Sequence, residues 1–95
     1  MNRAEAEEPP RRAYLAHTDA DAEIVFPATR TCVLAPGLHL VVSALDRSRL
    51  HHRIKRQLPA DAALLVAPLA EAPKFRNMSR GVLKFTRAVW PPRSE

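Results

Sequence analysis

The apolar residues between positions 38 and 70 follow two different periods, and this stretch predicts the centre of the fold. Across residues 38–43 the apolar side chains alternate, with Leu38, Leu40 and Val42 on one side, as they do in a β-strand. The β-branched residues of this segment favour the same conformation. Residues 62–67 are apolar without alternation, which is typical of a strand covered on both faces.

A helix is predicted between these two strands. Leu50, Ile54 and Leu58 recur every four residues and would form one apolar stripe. A single helix running on from the preceding segment is unfavourable, because the apolar stripe of that segment would lie about 140° around the axis from the second stripe. We therefore expect a break after the first strand, where Ser43 and Asp46 have the spacing of a capping box.

Shorter elements complete the chain on both sides. Residues 23–26 and 31–35 are strand candidates, and the Pro-Gly pair at 36–37 is a turn signal before the next strand. Ser79 precedes an apolar stripe in residues 80–90, which predicts a capped final helix. The predicted order of elements is β-β-β-α-β-α.

This order predicts the α+β fold class, as a small two-layer sandwich with four short strands and both helices on one face of the sheet. Residues 1–21 are polar and acidic and contain prolines, so we expect a disordered acidic tail. Residues 22–92 would form a single α+β domain, with 93–95 as a C-terminal tail. In the first hairpin Cys32 would face Val41. The predicted core consists of Ile24, Phe26, Val33, Leu38, Leu40, Val42, Leu50, Ile54, Leu58, Leu64, Val66, Val82, Leu83, Val89 and Trp90.

The segment LVVSALDRSRLHHRIKRQLPADAALLVAPLA resembles the second half of ferredoxin-like domains, including small dimeric α/β-barrel proteins. It covers a third of the chain. The first helix of that fold is absent, because residues 27–37 are hairpin-like. The resemblance concerns the order of elements and implies neither a function nor site residues.

Charge is distributed unevenly along the chain. The 15 Lys and Arg and 10 Asp and Glu give a net charge of +5. Residues 1–21 hold three arginines and five acidic residues, a net charge of −2, so the remainder carries +7. A basic body preceded by an acidic segment indicates an anionic partner whose site the acidic segment could mask.

Two basic blocks without acidic residues form the candidate nucleic-acid-binding surface. The blocks span residues 47–56 and 74–87, with five Lys or Arg in each. Basic side chains on a helix bind phosphates with an affinity that falls with salt; the alternative is a solvated face, since helix propensity also favours Arg and Lys. Phe75, between two cations, could stack on a base or anchor its loop to the core. The candidate residues are Arg47, Arg49, Arg53, Lys55, Arg56, Lys74, Phe75, Arg76, Lys84 and Arg87.

Metal binding and catalysis find little support in the spacing of residues. Cys32, His39, His51 and His52 lack the paired spacing of a structural zinc site, and adjacent histidines on a helix point about 100° apart. Nothing positions a base beside Cys32, as a thiol enzyme requires, and the acidic residues show no paired spacing. We predict no catalytic residue, no metal site and no cofactor.

The sequence predicts a small, basic, non-enzymatic binding module for an anionic partner, with nucleic acid as the favoured partner. The alternative is a protein-interaction or homodimerising subunit that pairs a sheet edge and does not bind nucleic acid; a small enzyme of unknown reaction is third. One cysteine and a polar, acidic N-terminus without a secretory leader favour the cytoplasm. No apolar run approaches the roughly 20 residues needed to span a bilayer, so no membrane association is expected.

Overall fold

The computed structural model describes residues 11–21 and 23–91, which contain four strands and two helices. In chain order the elements are β1 (Arg12–Thr18), β2 (Arg30–Ala35), β3 (Leu38–Ser43), α1 (Arg47–Lys55), β4 (Leu64–Pro68) and α2 (Val82–Val89). The predicted α+β class and the predicted order β-β-β-α-β-α are confirmed.

The first strand is not the one that the sequence predicts. β1 lies within the segment predicted to be a disordered tail, and it occupies an inner position of the sheet, between β3 and β4. Tyr14 and Ala16 of this strand are buried in the core. The prediction of a tail is therefore wrong for Arg12–Thr18, while residues 1–10 and 93–95 lie outside the described residues.

Residues 23–26, which the sequence predicts as the first strand, run outside the sheet. The positions beside β3 are filled by β1 and β2, so this apolar segment covers a face of the sheet instead of extending it. Ile24 and Phe26 pack against the cluster beneath α1. Val25 is held by the Gln57 side chain: its N–H donates to Oε1 and its carbonyl accepts from Nε2, both at 2.8 Å.

β3, α1 and β4 form the predicted crossover, with β1 inserted between the two strands. The strand order is β2-β3-β1-β4 and every paired neighbour is antiparallel. Since β3 and β4 both run antiparallel to β1, they are parallel to each other. Leu15 accordingly lies between Leu40 on one side and Ala67 on the other. The likeness to ferredoxin-like domains is limited to this split β-α-β unit.

The two helices cover opposite faces of the sheet, which corrects the prediction that both lie on one face. α1 buries Leu50 against Tyr14 and Val41, whereas α2 buries Val82 against Leu40. Leu40 and Val41 are consecutive residues of β3, and consecutive strand residues point to opposite faces. We call the two sides of the sheet the α1 face and the α2 face.

A bulge in β2 sets the register of the first hairpin. Ala35 pairs with Leu38, as the predicted turn requires, but Cys32 pairs with Leu40 and not with the following residue of β3. The extra residue is Leu34, which the bulge directs into the α2-face cluster. Because one inserted residue reverses the alternation beyond it, the predicted facing of the earlier β2 residues is wrong.

The predicted core is buried or half-buried with two exceptions. Val33 is 50% exposed because the bulge turns it outward, and Leu83 is 51% exposed. Leu83 follows the buried Val82 and therefore points about 100° away from it around the helix. The buried apolar residues missing from the prediction are Ala13, Tyr14, Ala16, Leu34 and Val41.

α1 begins with a side-chain cap from one member of the predicted capping box. Asp46 is the N-cap residue, and its Oδ1 accepts from the N–H of Arg49 at 2.8 Å. Ser43 does not reach the helix. Its hydroxyl donates to the carbonyl of Pro27 at 2.7 Å and accepts from the N–H of Leu45 at 3.1 Å, which fixes the chain between β3 and α1.

α2 begins at Val82 and is not capped by Ser79, contrary to the prediction. Gly81 occupies the N-cap position and offers no side chain. The N–H and the hydroxyl of Ser79 both donate to the carbonyl of Leu34, at 2.9 and 3.0 Å. Ser79 thus fastens the loop before α2 to the bulge in β2.

Candidate nucleic-acid interface

The first basic block surrounds a helix that is held by apolar contacts. Leu50 and Ile54 of α1 are fully buried, at 0% exposure. An apolar stripe of this kind supplies the packing of an amphipathic helix, so the charges are not required to hold α1 on the sheet. All five basic residues of the block are exposed: Arg47, Arg49, Arg53, Lys55 and Arg56.

Three of these residues share one side of the helix. Arg49, Arg53 and Arg56 have the spacing i, i+4, i+7, which places them in one row, and Arg56 keeps helical backbone angles as the C-cap. We call this row the arginine ridge. At 1.5 Å of rise per residue it is about 10 Å long, which equals the axial rise of about three base pairs of a duplex at roughly 3.4 Å each.

The ridge has one acidic neighbour among the described residues. Nε of Arg49 lies 4.0 Å from Oδ2 of Asp46, and both side chains are largely exposed. Exposed pairs of this kind are weak and screened by salt. Between two described residues no other ion pair forms, so among these residues the ridge keeps a positive potential that an external anion would meet.

The second basic block lies on the α2 face, with the sheet between it and the ridge. Lys74 and Arg76 are exposed in the loop before α2, and Lys84 and Arg87 are exposed on the helix. Phe75 is half-buried and packs on the α2-face cluster. Its ring therefore anchors the loop to the core, as in the second of the two roles considered for Phe75, and is not presented to a base. A flat partner can contact only one of the two blocks at a time.

A cleft of about 670 Å³ opens on the α2 face at the end of the sheet where β1 begins. Ala13 and Val42, paired neighbours in β1 and β3, lie in its floor. Trp90, at the end of α2, also lines it, as do Arg11 and Arg30. Arg30 pairs with Val42 across β2 and β3, so it stands in the same row of the sheet as the floor residues.

The lining of this cleft is basic and apolar. Arg12 also lines it, which makes three arginines, and no acidic side chain lines it among the described residues. None of these arginines is among the residues predicted from the sequence. Arg11 and Arg12 belong to the predicted tail, and Arg30 belongs to another strand. They approach one another only because β1 and β2 both pair with β3, and no local sequence signal carries that information.

Cys32 and His39 do not form a joint site. Cys32 pairs with Leu40, and His39 pairs with Val33, so the two side chains point to opposite faces. Burial raises the pKa of the Cys32 thiol and lowers the pKa of the His39 imidazole, which favours the neutral form of each. The His39 ring lies 5.0 Å from the ring of Phe26, centroid to centroid. Within residues 11–21 and 23–91, no three His, Cys, Asp or Glu side chains come together as a metal site.

Comparisons with family models, with curated proteins and with solved structures found no match. No helix in the described residues has the length and apolar character needed to cross a membrane.

Proposed function

We propose that this protein is a small, non-enzymatic module that binds nucleic acid through the arginine ridge. The supporting observation is that Arg49, Arg53 and Arg56 form one exposed row on a helix that is packed by other residues. Because these arginines do not stabilise the fold, their side chains can bind a partner without weakening the packing of the helix. Arg47 and Lys55, on the same helix, extend the positive field around the row.

The chemistry of the ridge suits phosphates more than bases. A guanidinium group offers two parallel N–H donors to phosphate oxygens and keeps its charge at all physiological pH values. Contacts of this kind position a nucleic acid without reading its sequence. The module would therefore bind many sequences with similar affinity, through an interaction that weakens as salt rises.

The proposal is tested by fluorescence anisotropy of a labelled random-sequence duplex titrated with the full chain at several salt concentrations. We expect binding at low salt and a linear fall of log affinity with log salt. Three phosphate contacts predict a slope of about −3, since each contact contributes roughly −0.9 on duplex DNA. Absence of binding at the lowest salt would contradict the proposal.

Self-association through β4 is a second candidate function. β4 is an edge strand, contains no charged residue and exposes Leu65 at 52%. Uncharged apolar edges favour the addition of another strand. Light scattering coupled to size-exclusion chromatography would then give a mass above the 10.6 kDa monomer as concentration rises, and Leu65→Lys would restore the monomer. A monomer at every concentration would rule this candidate out.

The proposal places the module in the cytoplasm. Cys32 is a free, half-buried thiol, and a reducing compartment keeps such a thiol unpaired. Nucleic acid is accessible in the same compartment.

A further inference from the structure

We infer that the cleft on the α2 face binds one nucleotide of a single strand, with the phosphate on Arg11 and Arg30 and the base against Trp90. This inference rests on the proposed nucleic-acid-binding function and adds a second contact site to it. The cleft and the ridge lie on opposite faces of the sheet, so each can be tested without the other.

The cleft has the shape and lining of a small-ligand site. Its volume of about 670 Å³ lies within the roughly 300–1,000 Å³ of pockets that take small molecules. Such pockets combine an apolar surface with a few polar groups that orient the ligand. Here Ala13, Val42 and Trp90 provide apolar surface, and Arg11 and Arg30 provide charge.

The charges of the cleft select an anion. Three arginines line it without an acidic side chain among the described residues. Arg30 stands on the edge strand β2 and Arg11 directly precedes β1, so two segments distant in sequence supply the donors. A phosphate between them would accept charge-assisted hydrogen bonds from both guanidinium groups.

The end of α2 determines which way the ligand lies. α2 ends at Val89, with Trp90 as its C-cap, and a helix C-terminus carries partial negative charge. A phosphate is disfavoured at that end of the cleft, while an uncharged base is not. The base therefore belongs at Trp90, which packs partly on the α2-face cluster and, unlike Phe75, also lines the cleft. The part of the indole that lines the cleft would accept any base.

This arrangement requires an unpaired nucleotide. A base within a duplex is stacked on both sides and its ring face is not available to an indole. A single strand can place one base against Trp90 and the adjoining phosphate on the arginines. The cleft would thus add a preference for single strands to the sequence-independent binding of the ridge.

Trp90 is the only tryptophan and reports on the cleft directly. The full chain is titrated with adenosine 5′-monophosphate, adenosine and inorganic phosphate while Trp90 fluorescence is followed. We expect saturable quenching by the nucleotide at lower concentration than by adenosine, and competition of inorganic phosphate with the nucleotide. Arg30→Gln should weaken nucleotide binding at least about tenfold, because a hydrogen bond to a charged group is lost. Lys84→Gln, an exposed change on α2 outside the cleft, should leave binding unchanged.

Two results would overturn the inference: no saturable quenching at millimolar nucleotide, or equal nucleotide affinity in Arg30→Gln and the wild type. Thermal melts of both variants confirm that the exposed substitutions leave the fold intact. Duplex binding that disappears on mutation of the ridge, together with an unresponsive Trp90, would refute the cleft site and leave the proposed function standing. Nucleotide quenching without any duplex binding would refute the ridge and support the cleft.

Discussion

The hydroxyl of Tyr14 donates a 2.7 Å hydrogen bond to the carbonyl oxygen of Leu45. Tyr14 is 1% exposed in β1, and Leu45 lies in the connection between β3 and α1. The bond joins β1 to the connection that leads into α1. The aromatic ring packs in the same cluster as Leu50 and Ile54, so β1 both completes the sheet and positions α1.

Substitutions at Tyr14 should separate these two roles. Tyr14→Phe removes the hydrogen bond and keeps the ring, so we expect a loss of about 1 kcal/mol in the free energy of unfolding. Tyr14→Ala also leaves a cavity and should cost about 3–5 kcal/mol. Urea denaturation of both variants measures the difference. Equal and negligible effects would show that β1 does not pack beneath α1.

The sequence predicted the elements that bury long apolar stripes and missed the one that does not. Leu50 and Ile54 identify α1 because two large residues recur at the helical period, and both are buried. β1 contributes small residues beside one aromatic, such as Ala13 and Ala16 around Tyr14. Small side chains fit an inner strand with a helix packed over it. Because alanine contributes little hydrophobicity, the sequence of such a strand is as weakly apolar as that of a disordered tail.

The face of the sheet to which each side chain points was harder to predict than the position of the strands and helices. The extra residue Leu34 reverses which side chains of β2 point to each face of the sheet. The sequence around Leu34 contains no signal that predicts a bulge. That bulge carbonyl receives both donors of Ser79, which ties the chain before α2 to the α2 face. The ridge was predictable because its spacing lies within one helix. The cleft was not, because it joins segments distant in sequence.

The β2–β3 turn depends on a glycine at position 37. Gly37 has φ +77°, and a Cβ there would lie about 2.5 Å from the carbonyl oxygen of Thr18. Gly37→Ala should therefore destabilise the fold by more than the roughly 1–3 kcal/mol of backbone strain alone. Gly81→Ala is the matched control, since its φ is +86° but its Cβ would meet nothing within 4 Å. If both variants lose the same stability in thermal melts, the close approach to Thr18 has no energetic role.

The stability of the fold should depend on His39 in mildly acidic solution. Burial lowers the His39 pKa below its usual 6.5, so the unfolded chain binds a proton more readily than the folded one. Stability is then complete above pH 6.5 and falls as the pH drops through the window between 6.5 and the lowered pKa. Urea midpoints at pH 7.5 and 5.5 measure this loss. His39→Gln should reduce it, whereas the exposed His52→Gln should not; equal pH dependence in all three proteins would exclude His39 as its source.

Residues 1–10 carry three glutamates and one arginine, and their deletion should tighten nucleic-acid binding at low salt. The physical reason is the removal of net negative charge next to a basic body. Replacing Glu5, Glu7 and Glu8 with Gln keeps the length of the chain and should reproduce most of the effect. Deleting residues 1–18 removes β1 and should abolish cooperative unfolding. Unchanged or weaker binding after the shorter deletion would argue against competition by the acidic segment.

Two triple variants distinguish the ridge from the second basic block. In the ridge variant Arg49, Arg53 and Arg56 are changed to Gln, which keeps helix propensity and removes three exposed charges. In the matched control three exposed cations outside the cleft, Lys74, Arg76 and Lys84, are changed to Gln. Both variants lose the same charge, so a general electrostatic effect would weaken binding equally. Thermal melts should differ little from the wild type, because exposed substitutions usually change stability by less than about 0.5 kcal/mol.

The slope of log affinity against log salt, measured by anisotropy on a random duplex, shows whether the arginine ridge contacts phosphates. We expect the slope of the ridge variant to flatten by up to about 0.9 for each lost phosphate contact. Its affinity should fall alike for every sequence, while the control keeps a slope and an affinity close to those of the wild type. A ridge variant with the slope and affinity of the wild type would show that the ridge does not bind nucleic acid, and a loss confined to the control would place the interface on the α2 face.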